Sequence, residues 1–117
     1  VTTPQRRAQV APWQVWWVQF NPQVGHEQAG ERPAIVVGST LACSLPNGLA
    51  LVVPCTTTDR QLVWQPEINL AGRRGFAMCD QVKALSTDRL VRRHQATLTK
   101  PERQSIAFAL GQLIAPG

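Results

Sequence analysis

The chain is poor in the residues that redox and metal chemistry need. It has three cysteines, at positions 43, 55 and 79, two histidines and seven acidic side chains. The cysteines are odd in number and far apart, so neither a closed set of disulfides nor a CxxC metal or redox unit is available. Cys55 and Cys79 lie in or at the end of apolar runs, where a free thiol behaves as a small buried hydrophobe. His26 and His94 have no histidine at helical spacing and no carboxylate cluster beside them, so no metal and no cofactor is expected. No glycine-rich loop follows the P-loop or dinucleotide pattern, and no GxSxG elbow occurs. Long apolar runs are also missing. The longest uncharged stretch, 33–58, is broken by Gly38-Ser39-Thr40 and Pro46-Asn47-Gly48, short of the ~20 residues a membrane helix needs. No basic segment followed by an apolar one opens the chain as a secretory leader would. The expected compartment is the reducing cytoplasm.

What is present is a globular composition. The chain has 117 residues, 44% of them hydrophobic, with four tryptophans, enough for one domain and a real core. Ten arginines and two lysines against seven acids give a net charge of +5. The charge is uneven: residues 1–59 carry three bases and three acids, residues 60–117 nine bases and four acids. A local excess dominated by arginine suits an anionic partner, because the guanidinium fork matches phosphate and carboxylate geometry. Solubility alone would also account for it, and composition does not choose among RNA, DNA and an acidic protein.

Along the chain, residues 1–12 lack periodicity and read as a flexible arm, with a single domain over 13–117. Gln14–Phe20 alternates aromatic and β-branched residues on both faces and predicts a strand covered on both sides. The long polar loop 21–32 follows, and loops of that length usually carry function. Pro33–Ser39 and Leu49–Cys55 predict two further strands, and Leu62–Ile68 a weaker one, confined to an edge by Pro66. Phe76–Leu85 predicts a fifth strand and Leu90–Leu98 a sixth with a basic face at Arg92, Arg93 and Gln95. The last segment changes period: Thr99 and Glu102 form a capping box, Pro101 falls in the first turn, and Ile106, Leu110, Leu113 and Ile114 recur at helical spacing. Together these predict a small, strongly bent antiparallel sheet closed by one C-terminal helix.

Three polar clusters stand beside predicted strands. One is the loop from Gly25 to Pro33, with His26, Glu27, Glu31 and Arg32. Another is Thr56-Thr57-Thr58, directly after an apolar strand. The third is Asp80-Gln81, inside an apolar strand. Each has a plain structural explanation as a loop ion pair, a self-satisfied turn or a strand-edge network. Their joint occurrence at the ends of one small sheet favours a functional site.

Four ordered blocks resemble the MazF/PemK (Kid) family of toxin endoribonucleases. They are Trp16-Trp17-Val18, Gly25-His26-Glu27-Gln28-Ala29-Gly30 with Arg32-Pro33-Ala34-Ile35-Val36-Val37, Val53-Pro54-Cys55-Thr56-Thr57, and Cys79-Asp80-Gln81-Val82-Lys83. The resemblance covers about residues 14–114. It implies an α+β, mainly β fold, an SH3-like small antiparallel barrel with a C-terminal α-helix. It also implies a homodimeric toxin of a type II toxin-antitoxin system, which cuts single-stranded RNA at short sequences without metal and leaves 2′,3′-cyclic phosphate and 5′-hydroxyl ends. The implied partner is an acidic antitoxin, MazE-like, with DNA met only through the antitoxin complex.

By the same resemblance Arg32 and Thr56 match catalytic positions, and His26 matches an acid-base position. Cleavage by a neighbouring 2′-hydroxyl needs that proton removed, charge stabilised on the phosphorane and a proton given to the leaving oxygen. A guanidinium contacts two phosphate oxygens well but is a poor base, whereas an imidazole is tuned to shuttle protons. Glu27 is the other candidate base. Glu27, Thr57, Asp80, Gln81, Trp17 and Phe20 are expected to bind substrate, since single-stranded RNA is read by base-edge hydrogen bonds and aromatic stacking. Departures exist: Trp13-Gln14 replaces the family's Gly-Asp, Gln19 and Asn21 replace acids, and Met78 stands where the Kid branch has arginine. That branch's Arg-and-Asp division of roles therefore does not transfer intact. The competing expectations are a CcdB-like gyrase poison that cuts nothing, which would leave the Arg32, Thr56 and His26 cluster without a task, and an SH3-like adaptor that binds acidic peptides.

Overall fold

The computed structural model describes residues 9–21, 30–114 and 116. His26 and Glu27 lie outside the described residues, as do positions 1–8 of the expected arm. β1 (Val15–Gln19) pairs antiparallel with β2 (Glu31–Val36), Val15 opposite Ile35 and Gln19 opposite Glu31. Gly30 sits at the entrance to β2 with φ +72°, a backbone conformation that favours glycine. Its carbonyl accepts the Phe20 N–H at 2.9 Å and its N–H donates to Asn21 Oδ1 at 3.0 Å, which ties the two ends of the intervening loop together.

β3 (Leu49–Thr56) is long enough to serve two partners on one side. Leu49–Val52 pairs with β6 (Lys83–Ser86), while Cys55 and Thr56 pair with β5 (Arg73–Ala77), which in turn pairs with β4 (Glu67–Leu70). Pro54, without an N–H, stands just where the partner changes. β7 (Leu90–Arg93) flanks β1 with a bulge between Trp17 and Val18. The resulting order is β4-β5-β3-β2-β1-β7, with β6 on the side of β3. The path is bent like a small barrel, and it ends at β4 and β7 instead of closing on itself.

Alternation along the strands places one core on each face. Val15, Ile35, Val53, Cys55 and Cys79 form the first, covered by Ile106 and Ala109 of α2 (Lys100–Ile114). Trp16, Val18, Phe20, Ala34, Val36 and Val52 form the second, and Val10 of the arm packs against it. Burial pushes the Cys55 thiol pKa up, and burial with the Asp80 charge lifts Cys79 to about 11, so both are inert hydrophobes at neutral pH.

Several predicted elements are redrawn. The edge strand expected at Leu62–Ile68 begins only after Pro66, because a turn closed by Gln65 N–H to Leu62 carbonyl occupies the earlier residues. The strand expected over Phe76–Leu85 is divided by a 3-10 turn, Cys79–Gln81, against which α2 packs. The last predicted strand ends at Arg93, since Ala96 N–H turns back onto His94 Nδ1. A short helix, α1 (Thr40–Ser44), was not expected; Ser39 Oγ caps it by accepting from Ala42 N–H at 3.1 Å. In α2 the apolar face is narrower than the spacing suggests: Ile106 is buried, but Leu113 and Ile114 are exposed.

The capping box at the start of α2 is formed, with Glu102 Oε1 accepting from Thr99 N–H at 2.8 Å and Thr99 Oγ1 accepting from Glu102 N–H at 3.3 Å. Glu102 Oε2 also accepts from Asn69 N–H at 2.5 Å, so one carboxylate fastens the helix to the edge strand β4. Burial raises the Glu102 pKa, but the hydrogen bonds from Thr99 and Asn69 outweigh it and leave the group below its ordinary value. A depressed carboxylate contributes stability above its unfolded pKa and loses it as pH falls through the folded one. Glu102→Ala is therefore expected to cost about 1–2 kcal/mol at pH 7. The difference should shrink toward zero in denaturant titrations carried out below the folded pKa.

Candidate active site

Where β1, β2 and β3 end together, the sheet opens into a cleft of about 680 Å³. β2 supplies Glu31, Arg32 and Pro33, the end of β3 supplies Cys55, Thr56 and Thr57, and β1 supplies Trp17. Arg73 at the start of β5 and His94-Gln95 after β7 complete the wall. The local cause is a change of composition along two strands. Ala34-Ile35-Val36 and Val52-Val53 are buried in the sheet, whereas Glu31-Arg32 and Thr57 lie beyond the core and are exposed.

Thr56 is buried to 7% exposure, and its Oγ1 accepts the Thr58 N–H at 3.1 Å. The hydroxyl oxygen is thereby held while its proton stays available as a donor. Arg32 and Arg73 make the cleft cationic. Arg92 stands beside it, its guanidinium 5.1 Å from the Trp17 ring and its Nη1 2.6 Å from Glu31 Oε1. This rim pair is exposed, worth about 0–1 kcal/mol, and matters more for holding Trp17 than for stability.

His94 is half-buried against Trp17, ring centroids 5.0 Å apart at an interplanar angle of 35°. Its N–H donates to the Val15 carbonyl at 2.9 Å, which extends the β7–β1 pairing by one residue, and its Nδ1 accepts the Ala96 N–H at 2.9 Å. Burial, followed by the Arg92 charge, holds the imidazole pKa below its usual value.

Of the residues singled out in the sequence, Arg32, Thr56, Thr57 and Trp17 come together in this cleft. Phe20 does not line it. Its ring is buried in the second core with Lys83 Nζ 5.4 Å from the centroid, because Phe20 shares a strand face with Trp16 and Val18. Asp80 and Gln81 do not line it either; they lie in the 3-10 turn, where Asp80 Oδ1 accepts from Gln65 Nε2 at 3.0 Å. His26 and Glu27 lie outside the described residues. Arg73 and His94 were not singled out as site residues. The available signal was weak, a histidine directly after a basic strand and an arginine in a turn. Among the described residues no three His, Cys, Asp or Glu side chains converge as a metal-ion set, and no helix is long and apolar enough to cross a membrane.

Comparison with known proteins identifies the family to which this fold belongs. Over 98 residues the chain is 35% identical to the endoribonuclease toxin MazF of Escherichia coli strain K12, covering 84% of this chain and 87% of that protein. A shorter match, 33% over 61 residues, is to a putative toxin of Mycobacterium tuberculosis, covering 52% of this chain and 55% of that protein. Among solved structures, MazF from Deinococcus radiodurans superposes with a TM-score of 0.78 at 25% identity, over 92% of this chain and 97% of that one. A MazE-MazF structure from the same organism gives 0.72 at 26% identity, over 93% and 98%. A family model described as PemK-like, MazF-like toxin of type II toxin-antitoxin system matches residues 11–114, and with nearly the whole described fold inside that match the chain belongs to this toxin family.

Proposed function

We propose that the protein is the endoribonuclease toxin of a toxin-antitoxin pair and cuts single-stranded RNA at short sequences without a metal ion. The observation that carries the proposal is the meeting of Arg32 and Thr56, from different strands, in one open cationic cleft. A scissile phosphate set there would have the Arg32 fork on its non-bridging oxygens and the Thr56 hydroxyl donating to one of them. The adjacent 2′-oxygen attacks phosphorus as its proton is removed. Negative charge builds on the phosphorane, the P–O5′ bond breaks, and the departing oxygen takes up a proton. The products are a 2′,3′-cyclic phosphate and a 5′-hydroxyl. His26 or Glu27 is the proposed base, and Arg32 can hand a proton to the leaving oxygen.

Thr57 and Trp17 are the proposed base contacts inside the cleft. Asp80 and Gln81 are left for nucleotides beyond it, and the burial of Phe20 leaves stacking to Trp17. A MazE-like acidic antitoxin as inhibitor is supported by the MazE-MazF neighbour and by the excess of arginine. A homodimer in the cytoplasm completes the proposal, with the exposed Leu41, Leu45, Leu49 and Leu51 as interface material.

The test is end-mapping of a long single-stranded RNA digested in excess EDTA. Cleavage at a short common sequence with 2′,3′-cyclic phosphate ends is expected. Loss of activity on chelation, or 3′-hydroxyl products, would refute the mechanism. Gyrase inhibition with no RNA cleavage would replace it with the poison reading.

A further inference from the structure

We propose that His94, paired with Trp17, forms a nucleobase subsite of the cleft, in which a neutral imidazole reads an unpaired base next to the scissile phosphate by donating its Nε2–H. The proposal rests on the endoribonuclease reading and adds to it a specificity residue that lies outside the motif blocks.

The argument begins with the tautomer. Nδ1 of His94 accepts the Ala96 N–H at 2.9 Å, so its lone pair is committed and the ring proton sits on Nε2. Protonating Nδ1 would set two N–H groups against each other. Burial and the Arg92 charge oppose protonation too, and both hold the imidazole pKa below its usual value. Among the described residues, the charged and titratable groups around the cleft are Arg92 on β7, Glu31 and Arg32 on β2, Arg73 on β5 and the inert Cys55 on β3, while Arg93 and Arg74 on the same strands lie over Trp16 and Phe76. Among the described residues that line the cleft, cations outnumber the one carboxylate, Glu31, which is engaged by Arg92. At neutral pH His94 is therefore a fixed hydrogen-bond donor with no free lone pair. That is the wrong equipment for a general base and the right equipment for meeting a carbonyl or ring-nitrogen acceptor on a base edge.

The second strand of the argument is placement. The rings of His94 and Trp17 are in contact at 5.0 Å, so nothing enters between them. They present a joint aromatic surface on the wall that also carries Arg32, Thr56 and Thr57. A phosphate at Arg32 and Thr56 would bring its own nucleotide's base within reach of that surface. The backbone clamp of His94, to Val15 on one side and Ala96 on the other, fixes the ring before substrate arrives, and a pre-organised contact costs less ordering on binding.

Two variants separate this role from its rivals. In His94→Asn the amide oxygen takes the place of Nδ1 and still accepts from Ala96, while the Nε2–H and the outer ring are removed. His94→Phe keeps a ring and removes the donor. Both are compared with wild type on the RNA oligonucleotide that the wild type cuts best and on versions with each single base changed. Binding is followed with the same oligonucleotide carrying 2′-deoxyribose at the cleavage site. For His94→Asn we expect KM and Kd to rise roughly 10-fold, the effect of losing one base contact, with kcat within about 3-fold of wild type. The preference at one base position should relax, and the kcat pH profile should keep its shape. His94→Phe should recover part of the affinity and none of the preference. A collapse of kcat with loss of one limb of the pH profile would make His94 an acid-base catalyst and overturn the proposal. Unchanged KM, Kd and base preference in both variants would reduce it to a structural histidine. Wild-type protein that cuts no RNA would refute the endoribonuclease reading itself, a result distinguishable because it appears before any His94 substitution.

Discussion

Arg32→Ala is expected to lower kcat/KM for RNA cleavage by about 10³-fold or more, the scale seen when an arginine that stabilises a phosphoryl transition state is removed. The physical reason is that the phosphorane carries more charge than the diester it comes from, so a cation pointed at its oxygens binds the transition state more strongly than the substrate. The effect should therefore fall mostly on kcat. Arg32→Lys keeps the charge and loses the two-pronged geometry, and an intermediate loss is expected. The fold should not suffer. The Arg32 side chain is exposed, and its backbone is held by pairing with Val18 of β1. Single-turnover cleavage by each variant, with circular dichroism and thermal unfolding alongside, is the required measurement. Full activity in Arg32→Ala would remove the central element of the mechanism.

Ile35→Ala is expected to destabilise the protein by about 2–5 kcal/mol, a large part of the ~5–15 kcal/mol typical of a small domain. Ile35 is fully buried in β2, opposite Val15 on one neighbouring strand and Val53 on the other, in the core that α2 covers. Truncating it leaves a cavity that three rigid strands cannot close. The denaturation midpoint should fall with little change in slope, and a slope change would point instead to partial unfolding of the native state. The same strand carries Arg32 three residues earlier. Activity measured well below the new melting temperature should consequently stay close to wild type, separating what β2 does for the core from what it does for the cleft.

The extent to which this protein is legible from its sequence follows from the range of the interactions involved. β1, β2 and β3 show in the sequence because alternation and β-branched residues are local signals, and both faces are buried over Ala34–Val36 of β2 and Val52–Cys55 of β3. The capping box of α2 shows because all its partners lie within three residues of one another. The breaks are harder to see. The 3-10 turn at Cys79–Gln81 interrupts an apolar run because the chain must pass under α2 there, a demand made by residues more than 20 positions away. The narrow buried face of α2 is likewise decided by where the helix leaves the sheet, leaving Leu113 and Ile114 exposed despite their spacing.

For the site the division is sharper. Arg32, Thr56 and their flanking blocks form recognisable strings, so the class of chemistry was readable in one dimension. Net charge indicated an anionic partner but concentrated it in residues 60–117, whereas Arg32 lies in the half whose charges cancel. The burial of Phe20 in the second core and the placement of Trp17 in the cleft were not readable, because alternation separates two faces without saying which one meets the cleft. His94 was invisible for the same reason. A lone histidine after a basic strand becomes significant only when β7 lies along β1 and sets the imidazole against Trp17, with its Nδ1 closed off by Ala96. Sequence alone determined β1, β2, β3, the C-terminal helix and the family to which the proposed reactive groups belong, since these depend on neighbours in the chain. Only the tertiary structure decided which side chains share the cleft and which proton His94 holds, since both depend on contacts between strands distant in sequence.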